Sequence, residues 1–151
     1  MRVTMLLADA AQAVSGKLYI LGGGWSLIGP EPTPMAIAIK IDLPWESADI
    51  PHTLQLDLLG EDGQPAVLPL QTEDDPEPRN RPMQISGQFQ TGRPPDLRSG
   101  TPLDVAMALN IPPLPLQPDY HYTWRCSIDG ESRQDWQVSF LTRPAQGAPN
   151  P

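Results

Sequence analysis

The chain has 151 residues, a single cysteine and a formal net charge of −8, from 18 acidic and 10 basic residues. That length suits one domain able to bury a full core without staples, and the lone Cys126 excludes an intramolecular disulfide, as in a reducing compartment. Basic residues this sparse exclude the clustered Lys/Arg surface that grips a phosphate backbone, and the acidic balance disfavours nucleic acid and anionic lipid alike.

Met1 to Ala8 superficially resembles a signal peptide, but Asp9 interrupts the apolar run before it reaches the length of an h-region. Residues 2–9 are therefore expected to form a first strand, and Ala8 to Ala13 a helical turn ended by Ser15-Gly16. Lys17 to Leu21 reads as a second strand. Gly22, Gly23 and Gly24 then allow a bulge or sharp bend, and Trp25 to Ile28 resumes extended structure. The proline-rich segment from Gly29 to Pro34 is a stiff connector.

Residues 35–43 carry the clearest signal in the chain. Met35, Ile37, Ile39, Ile41 and Leu43 share one face, while Ala36, Ala38, Lys40 and Asp42 share the other, assigned here to solvent. Leu54, Leu56 and Leu58 mark the next strand. Asp62-Gly63 suits a tight reversal, after which residues 66–71 return antiparallel. Thr72 to Arg81, rich in charge and proline, reads as a mobile loop. Met83, Ile85 and Phe89 mark a further strand, with Gly87 weakening its middle, and residues 103–110 form another.

Pro112, Pro113, Pro115 and Pro118 stiffen a crossing segment. Residues 120–128 and 135–142 close a last hairpin around Asp129-Gly130, with Tyr122, Trp124, Cys126 and Ile128 on the core face. Residues 143–151 read as a disordered proline-rich tail. No segment approaches the length of a membrane-spanning helix.

Eight or nine short strands joined by turn residues predict an all-β chain, an antiparallel β-sandwich over residues 1–142. Leu116, Pro118 and Tyr122 stand at the offsets of a tyrosine corner, in which a late tyrosine hydroxyl bonds back to the preceding loop. That detail points to an immunoglobulin-like or fibronectin-like sandwich.

No catalytic constellation stands out. His52, His121 and Cys126 are the only soft metal ligands, and period two puts His121 and Cys126 on opposite faces of one strand. Glu73, Asp74, Asp75 and Glu77 form the densest acidic cluster, but lack the spacing of a calcium loop; a solvated run partly neutralised by Arg79 and Arg81 is expected. Gly22 to Gly24 precedes extended structure rather than a helix, so it does not fit a phosphate-binding loop. No Gly-x-Ser-x-Gly elbow occurs. Asp57 and Asp104 are expected to face solvent. Trp124 and Trp136 read as core, whereas Trp45, after Pro44 at a strand end, either caps the core or anchors a partner.

Met5 to Asp9, Gly16 to Trp25 and Pro34 to Ile41 resemble a group of uncharacterised bacterial proteins classed as a domain of unknown function. The shared pattern is a strand ending in Ala-Asp, a Gly-Lys-Leu strand and a glycine-rich bend, over about half the chain. The resemblance implies a bacterial cytoplasmic protein and brings no activity, cofactor or site residues.

The functional expectation is a non-enzymatic binding or interaction module that meets a protein partner or itself. Its candidate surface is Gly22, Gly23, Gly24, Trp25 and Trp45, and no cofactor, metal, nucleic acid or membrane is expected. A structural subunit of a phage-derived or other particle is the alternative, and an enzyme with a loop-borne carboxylate site a more distant one.

Overall fold

The alternation of apolar and polar side chains becomes two sheets that share one core. In this computed structural model, residues 1–145 are described. They form a single all-β domain of eleven strands: β1 (Arg2–Val14), β2 (Lys17–Gly23), β3 (Leu27–Ile28), β4 (Met35–Leu43), β5 (His52–Leu59), β6 (Val67–Leu70), β7 (Arg79–Pro82), β8 (Gln84–Phe89), β9 (Leu103–Ile111), β10 (His121–Ile128) and β11 (Gln137–Thr142). One sheet has the order β2-β1-β4-β9, the other β3-β11-β10-β5-β8, and β6 pairs with β7 in a small separate ribbon.

The core lies between the two large sheets. The odd positions of β4, from Met35 to Leu43, meet Leu54, Leu56 and Leu58 of β5 and Tyr122, Trp124, Cys126 and Ile128 of β10 in one buried cluster. Each is a period-two row on one strand face, so burying one member commits the rest of the row. The tight reversals use residues tolerant of positive φ. Ser15 (+52°) and Gly16 (+73°) join β1 to β2, and Asp129 (+53°) and Gly130 (+81°) stand at the end of β10. Both pairs have the sign pattern of the hairpin turns that match strand twist.

The strand count exceeds the eight or nine expected. One of the strands not expected is β7, in a segment read as loop. Arg79-Asn80-Arg81-Pro82 has no apolar alternation, yet it pairs with β6, itself interrupted by Pro69. The turn after β5 does reverse the chain, through Gly60 N–H to the Gln64 carbonyl at 2.9 Å. Beyond it, β6 leaves β5 for β7, and β5 takes β8 and β10 as neighbours. The expected helical turn at Ala8 to Ala13 is also absent: β1 runs on to Val14 because β2 pairs with it along that length. Among the described residues one strand pairing is parallel, joining Leu141 and Thr142 of β11 to Leu27 and Ile28 of β3.

Arg143, expected to begin a free tail, is tied down. Its N–H donates to the Ile28 carbonyl at 2.9 Å and its guanidinium to the Gly29 carbonyl at 2.6 Å. The remainder of the expected tail, from residue 146, lies outside the described residues.

Two expectations about solvent exposure are overturned. Ala36 and Ala38, assigned to the wet face of β4, are buried with Ala8 and Ala11 in a second cluster completed by Leu18 and Ala108. Asp57 is buried too, held by the Gln55 side-chain amide at 3.0 Å and by the Arg125 guanidinium at 3.5 Å. Asp104 remains exposed and pairs with Lys40.

Candidate interaction surface

The alanine cluster explains the most unusual part of the molecule, the β1–β2 hairpin. The first half of β1, Arg2 to Ala8, pairs with β4, and the second half continues past the end of β4 with β2 alone. There Asn110 of β9 substitutes for the missing strand. Its side-chain amide donates to the Ala11 carbonyl at 2.8 Å, and its side-chain oxygen accepts the Ala11 N–H at 3.3 Å. Both polar backbone groups of Ala11 are thereby satisfied where no neighbouring strand reaches. The hairpin lies close over β4 and β9 because the contact surface is alanine, with no longer side chain to hold the backbones apart.

The far side of the hairpin is open. β2 is an edge strand, and Leu18 alone of its seven residues is even half-buried. Five of the nine large apolar residues exposed among the described residues belong to this hairpin: Leu6, Val14, Tyr19, Ile20 and Leu21. Tyr19 is 57% exposed and Leu21 71%. Exposed apolar side chains are thus concentrated on one sheet edge, and that edge adds backbone groups ready to pair.

The glycines stand at the end of this edge. Gly22 and Gly24 take φ of +60° and +91°, which ends regular pairing of β2 and turns the chain toward the other sheet. The Asp9 carboxylate fills the place a Cβ on Gly22 would occupy. Trp25, expected on the surface, turns inward instead: its ring packs edge-on against Phe140 at 6.0 Å between centroids. Trp45 is half-buried on a short 3-10 turn, Trp45–Ser47. The Arg93 guanidinium covers its ring at 4.6 Å and donates to its carbonyl at 2.8 Å.

Elsewhere several ionisable groups are engaged with one another. Asp75 accepts from Arg79 and, at 2.7 Å, from Arg81. Among the described residues, no group of three or more His, Cys, Asp or Glu side chains is placed to hold a metal ion. His121 is exposed, while Cys126 on the same strand is buried, and burial pushes its thiol up to about 11. The Tyr122 hydroxyl accepts the Gln117 N–H at 2.9 Å, and Leu116 packs beside it against the core while Pro118 stays exposed.

The sequence gives no hint of a buried histidine. His52 stacks on Phe89, with Nδ1 2.7 Å from the Asp129 carboxylate and Nε2 2.9 Å from the Ser47 carbonyl. Burial opposes its charged form, but the two acceptors outweigh that and raise its pKa above the ordinary 6.5. His52 is thus a latch between the start of β5, the 3-10 turn and the β10–β11 turn.

Among curated proteins and among solved structures, no match to this chain is found. A family profile, described as a family of unknown function (DUF6941), matches residues 3–140. That span takes in both sheets, the open hairpin and the His52 latch, and the chain belongs to this family.

Proposed function

We propose that this protein is a non-enzymatic interaction module, an immunoglobulin-like sandwich that presents the β1–β2 hairpin to a macromolecular partner. The observation that carries this is the exposed run Tyr19-Ile20-Leu21 on an edge strand. Moving three such side chains out of water against a partner gains apolar transfer free energy, and their concentration on one edge supports a surface that a partner covers. The Tyr122 to Gln117 bond and the two-sheet core support the immunoglobulin-like comparison. The engagement of His52, Asp57 and Asp75 with partners of their own supports a binding rather than a catalytic role. A cytoplasmic setting is supported by the single buried cysteine, which fits a reducing compartment, and a bacterial one by the resemblance to uncharacterised bacterial proteins.

Comparative capture tests the module. Tagged wild type and the double variant Tyr19→Lys/Leu21→Lys are expressed in the native cell and their retained proteins compared. At least one species, another protein or an untagged copy of the chain, is expected to be held by the wild type and lost from the folded variant. Identical retention by both would remove the hairpin as the working surface.

A further inference from the structure

The edge of β2 is self-complementary. In a hairpin closed by a two-residue turn, the residues flanking the turn bond to each other, and alternate residues then point their backbone groups outward. Val14 and Lys17 flank the Ser15-Gly16 turn, so Lys17, Tyr19 and Leu21 bond to β1, and Leu18 and Ile20 aim N–H and C=O at the open edge. Ala11, the partner of Ile20, obeys the same alternation on the other side, where Asn110 takes up its groups.

We infer that the occupant of this edge is a second copy of the chain, with β2 pairing antiparallel to β2 about a two-fold axis through Tyr19. This rests on the interaction-module reading and names its partner. In that register Leu18 faces Ile20 of the second copy and Ile20 faces Leu18, which uses every outward backbone group of both residues. The two Tyr19 rings meet on the axis as a closely spaced, non-hydrogen-bonded pair. Leu21 lies across from the aliphatic stem of Lys17 of the second copy. At each end Gly16 faces Gly22; neither has a side chain of its own, and the Asp9 carboxylate lies beside Gly22. A two-fold axis normal to a sheet keeps each residue on its own face, as this register requires.

The charge pattern favours the same occupant. Ala10 to Pro30 contains no acidic residue, in a chain with 18 of them, and Lys17 is the only charge in that span. The two Lys17 residues stand four positions apart across the axis, about 14 Å at the strand rise and beyond the physiological screening length. The acidic surfaces of two copies repel at long range, so added salt should strengthen the pairing. A basic partner on an acidic chain would be weakened by salt instead.

Sedimentation of the purified full chain between about 1 and 100 µM tests this, a range suited to a small edge-to-edge interface. The wild type is expected to pass from monomer to dimer, with the dissociation constant falling as sodium chloride rises. Ile20→Pro, which removes only an outward N–H, should remain folded and stay monomeric. Tyr19→Cys should form a covalent dimer on mild oxidation at least tenfold faster than Val67→Cys, since the paired Cα atoms fall within disulfide reach. A concentration-independent wild-type monomer, a folded Ile20→Pro that still dimerises, or equal crosslinking at positions 19 and 67 would each overturn the pairing. If the wild type is monomeric yet a hairpin-dependent partner is captured, self-pairing fails and the module stands; if neither appears, both fail.

Discussion

At the residue scale, His52 shows how a titrating group joins three distant segments. Both of its ring nitrogens face acceptors, the Asp129 carboxylate and the Ser47 carbonyl, and only the imidazolium can donate to both. Its pKa is raised in the folded chain, so its contribution to stability is complete below the unfolded value of 6.5 and is lost as pH rises through the folded value. Urea unfolding across that window should show wild-type stability declining with pH, and the decline attributable to this group should vanish in His52→Gln. At pH 6 the substitution is expected to cost about 1–2 kcal/mol, toward the low end because Asp129 is half-exposed. A flat difference between wild type and variant across the window would show that His52 is neutral when folded. None of this was legible in the sequence, because Asp129 lies 77 positions from His52. Asp57 was misplaced for the same reason: its Arg125 partner is 68 positions away.

At the scale of elements, legibility followed how strongly each strand alternates. β4 is observed over the residues expected, Met35 to Leu43, because its large aliphatic residues fill every second position. β7 went unseen because Arg79-Asn80-Arg81-Pro82 contains nothing apolar to alternate. Alanine was the subtler obstacle. It carries too little side chain to declare a face, so Ala36 and Ala38 read as solvent positions and Ala8 to Ala13 as a helical turn. In the fold, smallness is their function, since it lets the β1–β2 hairpin lie against β4 and β9. Ala38→Leu is accordingly expected to destabilise by about 1–3 kcal/mol through overpacking. Ala106→Leu, on the same face but outside the cluster, should change stability by no more than about 0.5 kcal/mol. Chemical denaturation of both variants decides it; equal effects would mean the hairpin does not rest on Ala38.

At the scale of the whole molecule, the core and the surface have different characters. Two sheets close over one apolar cluster, and most of the exterior is acidic or polar. The hairpin departs from that plan: it projects past the end of β4, carries no acid between Ala10 and Pro30, and keeps Tyr19, Ile20 and Leu21 in water. The glycine-rich bend singled out in the sequence lies at its boundary, and the proposed contact surface is the apolar strand before it. The most direct measurement is residue-resolved amide hydrogen exchange along Lys17–Gly23, in dilute monomer and again with the edge occupied by partner or second copy. The dilute protein should show slow exchange at Tyr19 and Leu21 and fast exchange at Leu18 and Ile20, with the latter pair becoming protected when the edge is filled. Leu18 and Ile20 amides already protected in the dilute monomer, or unchanged in the complex, would contradict an open edge as the working surface of this protein.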